Sequence, residues 1–303
     1  METKKNLSAS VMARLYNQAR HRGRPLNDLL QFYAIERFLF RLSCSDYANS
    51  FILKGALMFV ALKLHSFRPT RDIDLLGYTS NEVENIVRIM QEICLQPVEP
   101  DGLTFDPETI RGHRINEDAD YQGVRVQFVA TLGKAHMPMQ IDVGFSDIVW
   151  PSPIESDYPT ILPQKGPHLR GYSLESIIAE KVQAMVYLGI VNSRLKDFYD
   201  VWTLINEFDF DGQTLTQAFE KTFSHRKTAL PEGIPQALTE DFAHDKQVQW
   251  QAFGKRIGSN LNIPTLEVVI EMLRNFLMPP LEAANNKTGF RAVWKHGMGW
   301  VKE

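Results

Sequence analysis

Apolar residues recur every three to four positions over 8–22 and 27–43, which predicts two helices with Ser8 and Asn27 as their caps. In the second, Leu29, Leu30, Tyr33, Ile35, Phe38, Leu39 and Leu42 leave little polar surface, so that helix should be buried. The period then shortens. Phe51-Ile52-Leu53 reads as a strand, Lys54-Gly55-Ala56 as a turn, and Leu57 to His65 as a helix; after a loop containing Pro69, Arg71 to Leu76 alternates polar and apolar as a strand does. Residues 81–95 are helical again. From about 103 to 145 the texture is β: Gly123 to Leu132 alternates, Gly133 turns the chain, and Met137 to Gly144 returns through Ile141-Asp142-Val143. Pro151, Pro153, Pro159, Pro163 and Pro167 mark a connection, and helical periods follow at 173–190, 194–208, 212–225, 239–257 and 264–278. The stretch from Asn285 onward has no clear period.

This pattern divides the chain into N-terminal helices packed on a core (1–48), a core with a mixed sheet (49–150), a proline-rich connection (151–172) and a helical domain (173–303). The fold class is α/β in the α+β sense, a mixed sheet flanked by helices plus a helical C-terminal domain. At 303 residues two domains are expected, and the core is large enough to stand without disulfides or structural metals. The two cysteines, Cys44 and Cys94, lie outside any C-x-x-C spacing, which excludes a zinc ribbon or a thioredoxin-type pair and fits a reducing, cytoplasmic setting. The N-terminal stretch is charged and interrupted, and no run approaches the roughly 18 apolar residues of a membrane helix, so neither export nor membrane insertion is expected. A net charge of -3 excludes a strongly basic protein, although Arg14, Arg20, Arg22 and Arg24 form a local basic patch. The eight histidines show no H-E-x-x-H spacing, and no G-x-S-x-G, Walker A loop or G-x-G-x-x-G is present.

The chemistry concentrates between Lys54 and Leu76. Strand residues two apart share a face, so Asp72 and Asp74 project together while Ile73 faces the core. Two like charges so placed repel unless a divalent cation lies between them; magnesium prefers hard oxygen ligands and keeps waters and substrate phosphates in its shell. Asp142, on another expected strand, is the candidate third carboxylate. Gly55 at a strand-to-helix turn lets backbone approach a phosphate closely, and the helix start behind it offers N–H groups to an anion. On the helix 173–190, Lys181 is ringed by Leu174, Ile177, Ile178, Ala184, Met185 and Leu188. Its ammonium either snorkels to water or neutralises a phosphate oxygen in the transition state. Asp197 and Asp200, three apart on the next helix, share a face that can hold Lys181 or a substrate hydroxyl, and Arg194 with Lys196 serves either nucleic-acid contact or surface charge.

Four motifs occur in one order: LKGALMF, RPTRDIDLL, Glu180-Lys181-Val-Gln-Ala184 and Lys196-Asp197-Phe-Tyr199-Asp200. Together they resemble the AbiEii/AbiGii group of toxin-type nucleotidyltransferases within the DNA polymerase β-like superfamily. Ala56 departs from the Gly or Ser common at that place, and the gap to Asp72 is longer than in many relatives. The resemblance implies a polymerase β-like fold and transfer of a nucleoside monophosphate from a nucleoside triphosphate to a cellular acceptor. The 3′ end of tRNA or another RNA leads, with a protein side chain or a small molecule as the alternative acceptors. It implies Asp72, Asp74, Lys181 and Asp197 as catalytic residues. Lys54, Gly55, Ala56, Arg71, Lys181 and Asp200 would serve nucleotide binding. One or two magnesium ions, with manganese as substitute, would be held by Asp72, Asp74 and Asp142. It also implies a cognate antitoxin encoded nearby and a role in a toxin–antitoxin or phage-defence system. Two rivals share parts of the pattern: a catalytically silent binding subunit of the same fold, and a magnesium nuclease, which would need neither the glycine turn nor a triphosphate.

Overall fold

A computed structural model describes residues 2–64, 70–118, 121–257 and 263–302; the expected loop around Pro69 lies outside the described residues. The chain forms two compact units. The first comprises the residues up to Lys63, Thr70–Ser146 and Ile154–Gly171; the second is built mainly from Asp147–Pro153 and from Tyr172 onward.

The first unit contains helices α1 (Glu2–Arg22), α2 (Leu26–Cys44), α3 (Leu57–Ala61) and α4 (Val83–Leu95). Its strands are β1 (Phe51–Lys54), β2 (Asp72–Gly77), β3 (Leu103–Phe105), β4 (Arg111–Asp118), β5 (Tyr121–Leu132), β6 (Ala135–Phe145), β7 (Ile154–Asp157) and β8 (His168–Gly171). They form one mixed sheet in the order β3-β5-β6-β2-β1-β8-β7, with β4 also paired to β5. β2 runs parallel to β6 and antiparallel to β1. Ile73, Leu75, Val124, Val126, Phe128, Met139, Ile141 and Val143 are buried on the face that carries α2 and α4. Alternation places the polar members of the same strands on the opposite face.

Several expectations change at the element ends. Ser8 is not a cap, because α1 begins at Glu2; its hydroxyl instead donates to the Gly102 carbonyl at 2.8 Å. Nor is Asn27: Pro25 takes the cap position of α2, where its lack of an N–H costs nothing. α3 stops at Ala61 rather than reaching His65, since Lys63 turns left-handed at φ 59° and ends the helical path. The segment 151–172 is more than a connection, because β7 and β8 both join the sheet. Buried charges on α2 fasten the loop between them: Glu36 accepts from the Ile161 N–H at 2.7 Å and from Gln164 at 2.9 Å, and Arg37 donates to the Lys165 carbonyl at 2.8 Å. Prolines punctuated this segment without removing its strands.

The second unit packs α5 (Leu174–Leu188), α6 (Leu195–Glu207), α7 (Gly212–His225), α8 (Glu240–Ile257) and α9 (Leu266–Asn286) with a small sheet, β11-β10-β9, made from Gly299–Lys302, Ala292–Lys295 and Phe210–Asp211. Ser173 caps α5, its Oγ accepting from the Ser176 N–H at 3.2 Å. The expected end of the last helix at 278 is corrected: α9 runs through Pro279 and Pro280. Pro280 has no N–H for the Phe276 carbonyl, and the Trp300 indole N–H supplies one at 3.0 Å. The Trp300 ring also stacks on Phe276 with centroids 5.5 Å apart, so the tail without sequence periodicity seals the helix it follows.

Candidate active site

On the polar face of the first unit's sheet, side chains line up in cross-strand rows. One row runs Asp72–Gln140–Gln127–Arg111 over β2, β6, β5 and β4; the next runs Asp74–Asp142–Arg125–His113. Asp72 and Asp74 therefore share a face, and Asp142 stands directly beside Asp74. Asp72 is exposed, Asp74 half-buried and Asp142 buried. The Arg125 guanidinium grips Asp142 with both arms, Nε and Nη2 each lying 2.7 Å from a different carboxylate oxygen. That hydrogen bond raises the pKa of Arg125, and the charges of Asp142, Asp72 and Asp74 add to the shift. Arg125 was not among the sequence candidates. Its signal was present in the strict alternation of Gly123 to Leu132, which puts it on the polar face beside Gln127.

The donor set suits a hard divalent cation. Asp72 and Asp74 offer carboxylate oxygens on one open face, and among the described residues no third His, Cys, Asp or Glu closes around them. An ion bound there would complete its shell with water and phosphate oxygens, which is how magnesium is ordinarily held. Asp142 could join only by loosening its bidentate salt bridge to Arg125.

The glycine turn abuts this pair. Lys54 is the cross-strand neighbour of Asp74, and Gly55 follows at φ 68°. A Cβ built on Gly55 would overlap Asp74 Oδ2 and stand 2.7 Å from its Cγ, so only glycine lets the turn and the carboxylate coexist. α3 has five residues, too few for a helix dipole to matter, which leaves the turn backbone as the anion-facing element. The Ala56 side chain is buried and confines any ligand contact there to the backbone. Arg71 is exposed and pairs with Asp28 at 3.3 Å.

In the second unit, Lys181 on α5 is neither snorkelled nor isolated. Its ammonium lies 2.8 Å from Asp197 Oδ1 and 2.7 Å from Asp200 Oδ2, and Arg194 approaches Asp197 Oδ2 at 2.8 Å. Both carboxylates are about 1% exposed and the lysine 14%. Burial pushes Asp197 up, but Lys181 and Arg194 outweigh it and hold its pKa below the ordinary value. The preceding residue is also engaged: Glu180 lies 3.5 Å from Arg226, which reaches Asp147 at 3.0 Å. Both charged residues of the E-K-x-x-A motif thus hold ion pairs in this unit. Tyr172, whose hydroxyl reaches Asp147 at 3.4 Å, has its pKa raised well above normal by burial and by Glu180 and Asp147.

The mixed sheet carries D-x-D on one strand, with a glycine turn closing on the second aspartate from the neighbouring strand, and the chain that forms it is a nucleotidyltransferase by family. The chain belongs to the AbiEii family: the family profile described as "Nucleotidyl transferase AbiEii toxin, Type IV TA system" matches residues 37–272. As a member of a type IV toxin–antitoxin family it has a nucleotide substrate and an antitoxin partner implied. No curated protein matches the sequence. Two solved structures are similar in part. JHP933 from Helicobacter pylori is 15% identical, with a TM-score of 0.45 over 84% of this chain and 92% of that one. A candidate nucleotidyltransferase from H. pylori is 16% identical, with a TM-score of 0.44 over 86% of this chain and 95% of that one. Among the described residues no helix is long and apolar enough to cross a membrane.

Proposed function

We propose that this nucleotidyltransferase moves a nucleoside monophosphate from a nucleoside triphosphate onto a hydroxyl of an RNA, with the 3′ end of tRNA as the leading acceptor, and that this modification is its toxic act. The observation that carries the reading is the packing of Gly55 against the Asp74 carboxylate, which sets a bare backbone turn beside a pair of aspartates on an open face. A nuclease would need the acids but not the turn.

In this reading the acceptor oxygen bonds to the α-phosphorus as the bond to the β-phosphate breaks; pyrophosphate leaves and the hydroxyl proton passes to solvent. Asp72 and Asp74 hold magnesium or manganese, which when bound neutralises phosphate charge and lowers the pKa of the attacking hydroxyl. The Gly55 turn seats the triphosphate, with Lys54 and Arg71 as nearby cations. Within the second unit, Asp197 and Asp200 fix the Lys181 ammonium in place. The antitoxin, encoded beside this gene, restrains the activity in the cell.

The test incubates the protein with each labelled nucleoside triphosphate and total RNA or total protein, beside Asp72→Asn. Label in RNA from the wild type and none from the variant supports the reading. RNA shortened without label would replace it with a nuclease; no product in any arm would leave the binding subunit. Growth arrest that is lost in Asp72→Asn and relieved by the neighbouring gene completes the toxin assignment.

A further inference from the structure

Resting on that reading, we infer that Arg125 stands in for a second metal ion: it keeps Asp142 as a salt-bridge partner rather than a ligand, so the site carries one divalent ion, on Asp72 and Asp74.

The sheet fixes the arrangement. Asp74, Asp142 and Arg125 are direct neighbours across β2, β6 and β5, on strands about 4.8 Å apart. A two-metal site holds its ions about 3.5–4 Å apart, and Asp142 is the carboxylate placed to share a second ion with Asp74. Its oxygens are already engaged. Of the roughly four lone-pair positions of a carboxylate, Arg125 Nε takes one on Oδ1 and Nη2 one on Oδ2, each at 2.7 Å. Gln140 Nε2 approaches Oδ2 as well, at 3.4 Å. A magnesium ion on the remaining position of Oδ1, about 2.1 Å from that oxygen, would lie within about 5 Å of the guanidinium. The two cations would repel, and strongly, because Asp142 is buried and water screens it little.

The local charge agrees. Lys54 shares the face of Asp74 as its cross-strand neighbour, so three carboxylates stand against two cations. One divalent ion already overbalances what remains before a triphosphate arrives. Arginine suits this place because its guanidinium stays protonated and its fork matches a carboxylate, which sets the charge in position before substrate binds. Arg125 is thus a positioning residue: through Asp142 it decides how many ions the acids hold.

The experiment titrates Mn²⁺ into the full chain, with and without a non-hydrolysable triphosphate analogue, and follows it by electron paramagnetic resonance; the analogue alone is the control. Two ions about 4 Å apart couple magnetically, whereas isolated ions do not. Wild type should bind one uncoupled ion, lost in Asp72→Asn. Arg125→Met should gain a second ion coupled to the first, which misfolding cannot produce. Arg125→Met/Asp142→Leu removes both charges together, an exchange that buried ion pairs commonly tolerate, and should return to one ion at wild-type affinity. Should Arg125→Met fail to fold, the double variant decides alone. A coupled pair in the wild type, a folded Arg125→Met with one ion, or a double variant weakened about tenfold or more, as loss of a ligand requires, would overturn the inference while leaving the proposed reaction standing. Wild type and Asp72→Asn that both bind no Mn²⁺ would instead sink the metal-dependent reaction on which it rests.

Discussion

Replacing Gly55 with alanine adds one methyl group where two costs meet. The first is conformational: at φ 68° an L-residue with a Cβ loses about 1–2 kcal/mol. The second is steric, because the new Cβ overlaps the Asp74 carboxylate. Oδ2 and Cγ can rotate away, but Asp74 Cβ would stand 2.9 Å from the new atom and is fixed to its strand, so the overpacking cost spans the usual ~1–3 kcal/mol. The sum, roughly 2–5 kcal/mol, lowers Tm by roughly 4–20 °C for a unit of this size. Function should suffer more than stability, since a displacement of about 1 Å at a reacting centre costs on the order of 100-fold in rate. Gly133→Ala is the control: its φ is 62°, but its Cβ would meet only Ser8 Cβ at 3.9 Å. Thermal unfolding, Mn²⁺ binding by electron paramagnetic resonance and nucleotide transfer are compared for the two variants. Gly133→Ala should lose about 1–2 kcal/mol and keep wild-type transfer and metal affinity. If Gly55→Ala unfolded no lower than Gly133→Ala and transferred nucleotide at the wild-type rate, the argument that glycine is there to admit Asp74 would be wrong.

Lys181→Ala removes the ammonium shared by two buried carboxylates and should cost about 3–5 kcal/mol in stability, with Asp200→Asn in the same chain recovering a large part of it; a denaturant-based double-mutant cycle measures both. Asp197 has a folded pKa below its ordinary 3.8, so its stabilising contribution is complete above that value and is lost as pH falls through the lower folded value. The stability gap between wild type and Asp197→Asn should accordingly stay constant from neutral pH to about 5 and narrow below about 4; a gap that widened in acid would contradict the shift. Cys44 is exposed, whereas burial pushes the Cys94 thiol up to about 12, so a thiol reagent should titrate one group quickly in the native protein and the second only on unfolding.

Alternation alone located the strand of Asp72 and Asp74, put them on one face and marked Gly55 as a turn, because strand periodicity and glycine's backbone freedom are local properties. Helix periods likewise located α5 and α6 and brought Asp197 and Asp200 to one side, since residues three apart on a helix are neighbours whatever packs against them. Three features came only from tertiary structure. The parallel register of β2 with β6 is a long-range pairing, and it alone sets Asp142 beside Asp74 and brings Arg125 across to hold it. The proline-bearing segment 151–172 became sheet because buried Glu36 and Arg37 on a distant helix offered its loop hydrogen bonds. Pro280 reads locally as a helix end, yet α9 continues because Trp300, twenty residues later, donates to the carbonyl that proline leaves without an intrahelical partner. Local sequence sets what each backbone segment prefers; which buried polar group meets which partner is decided only when the whole unit closes.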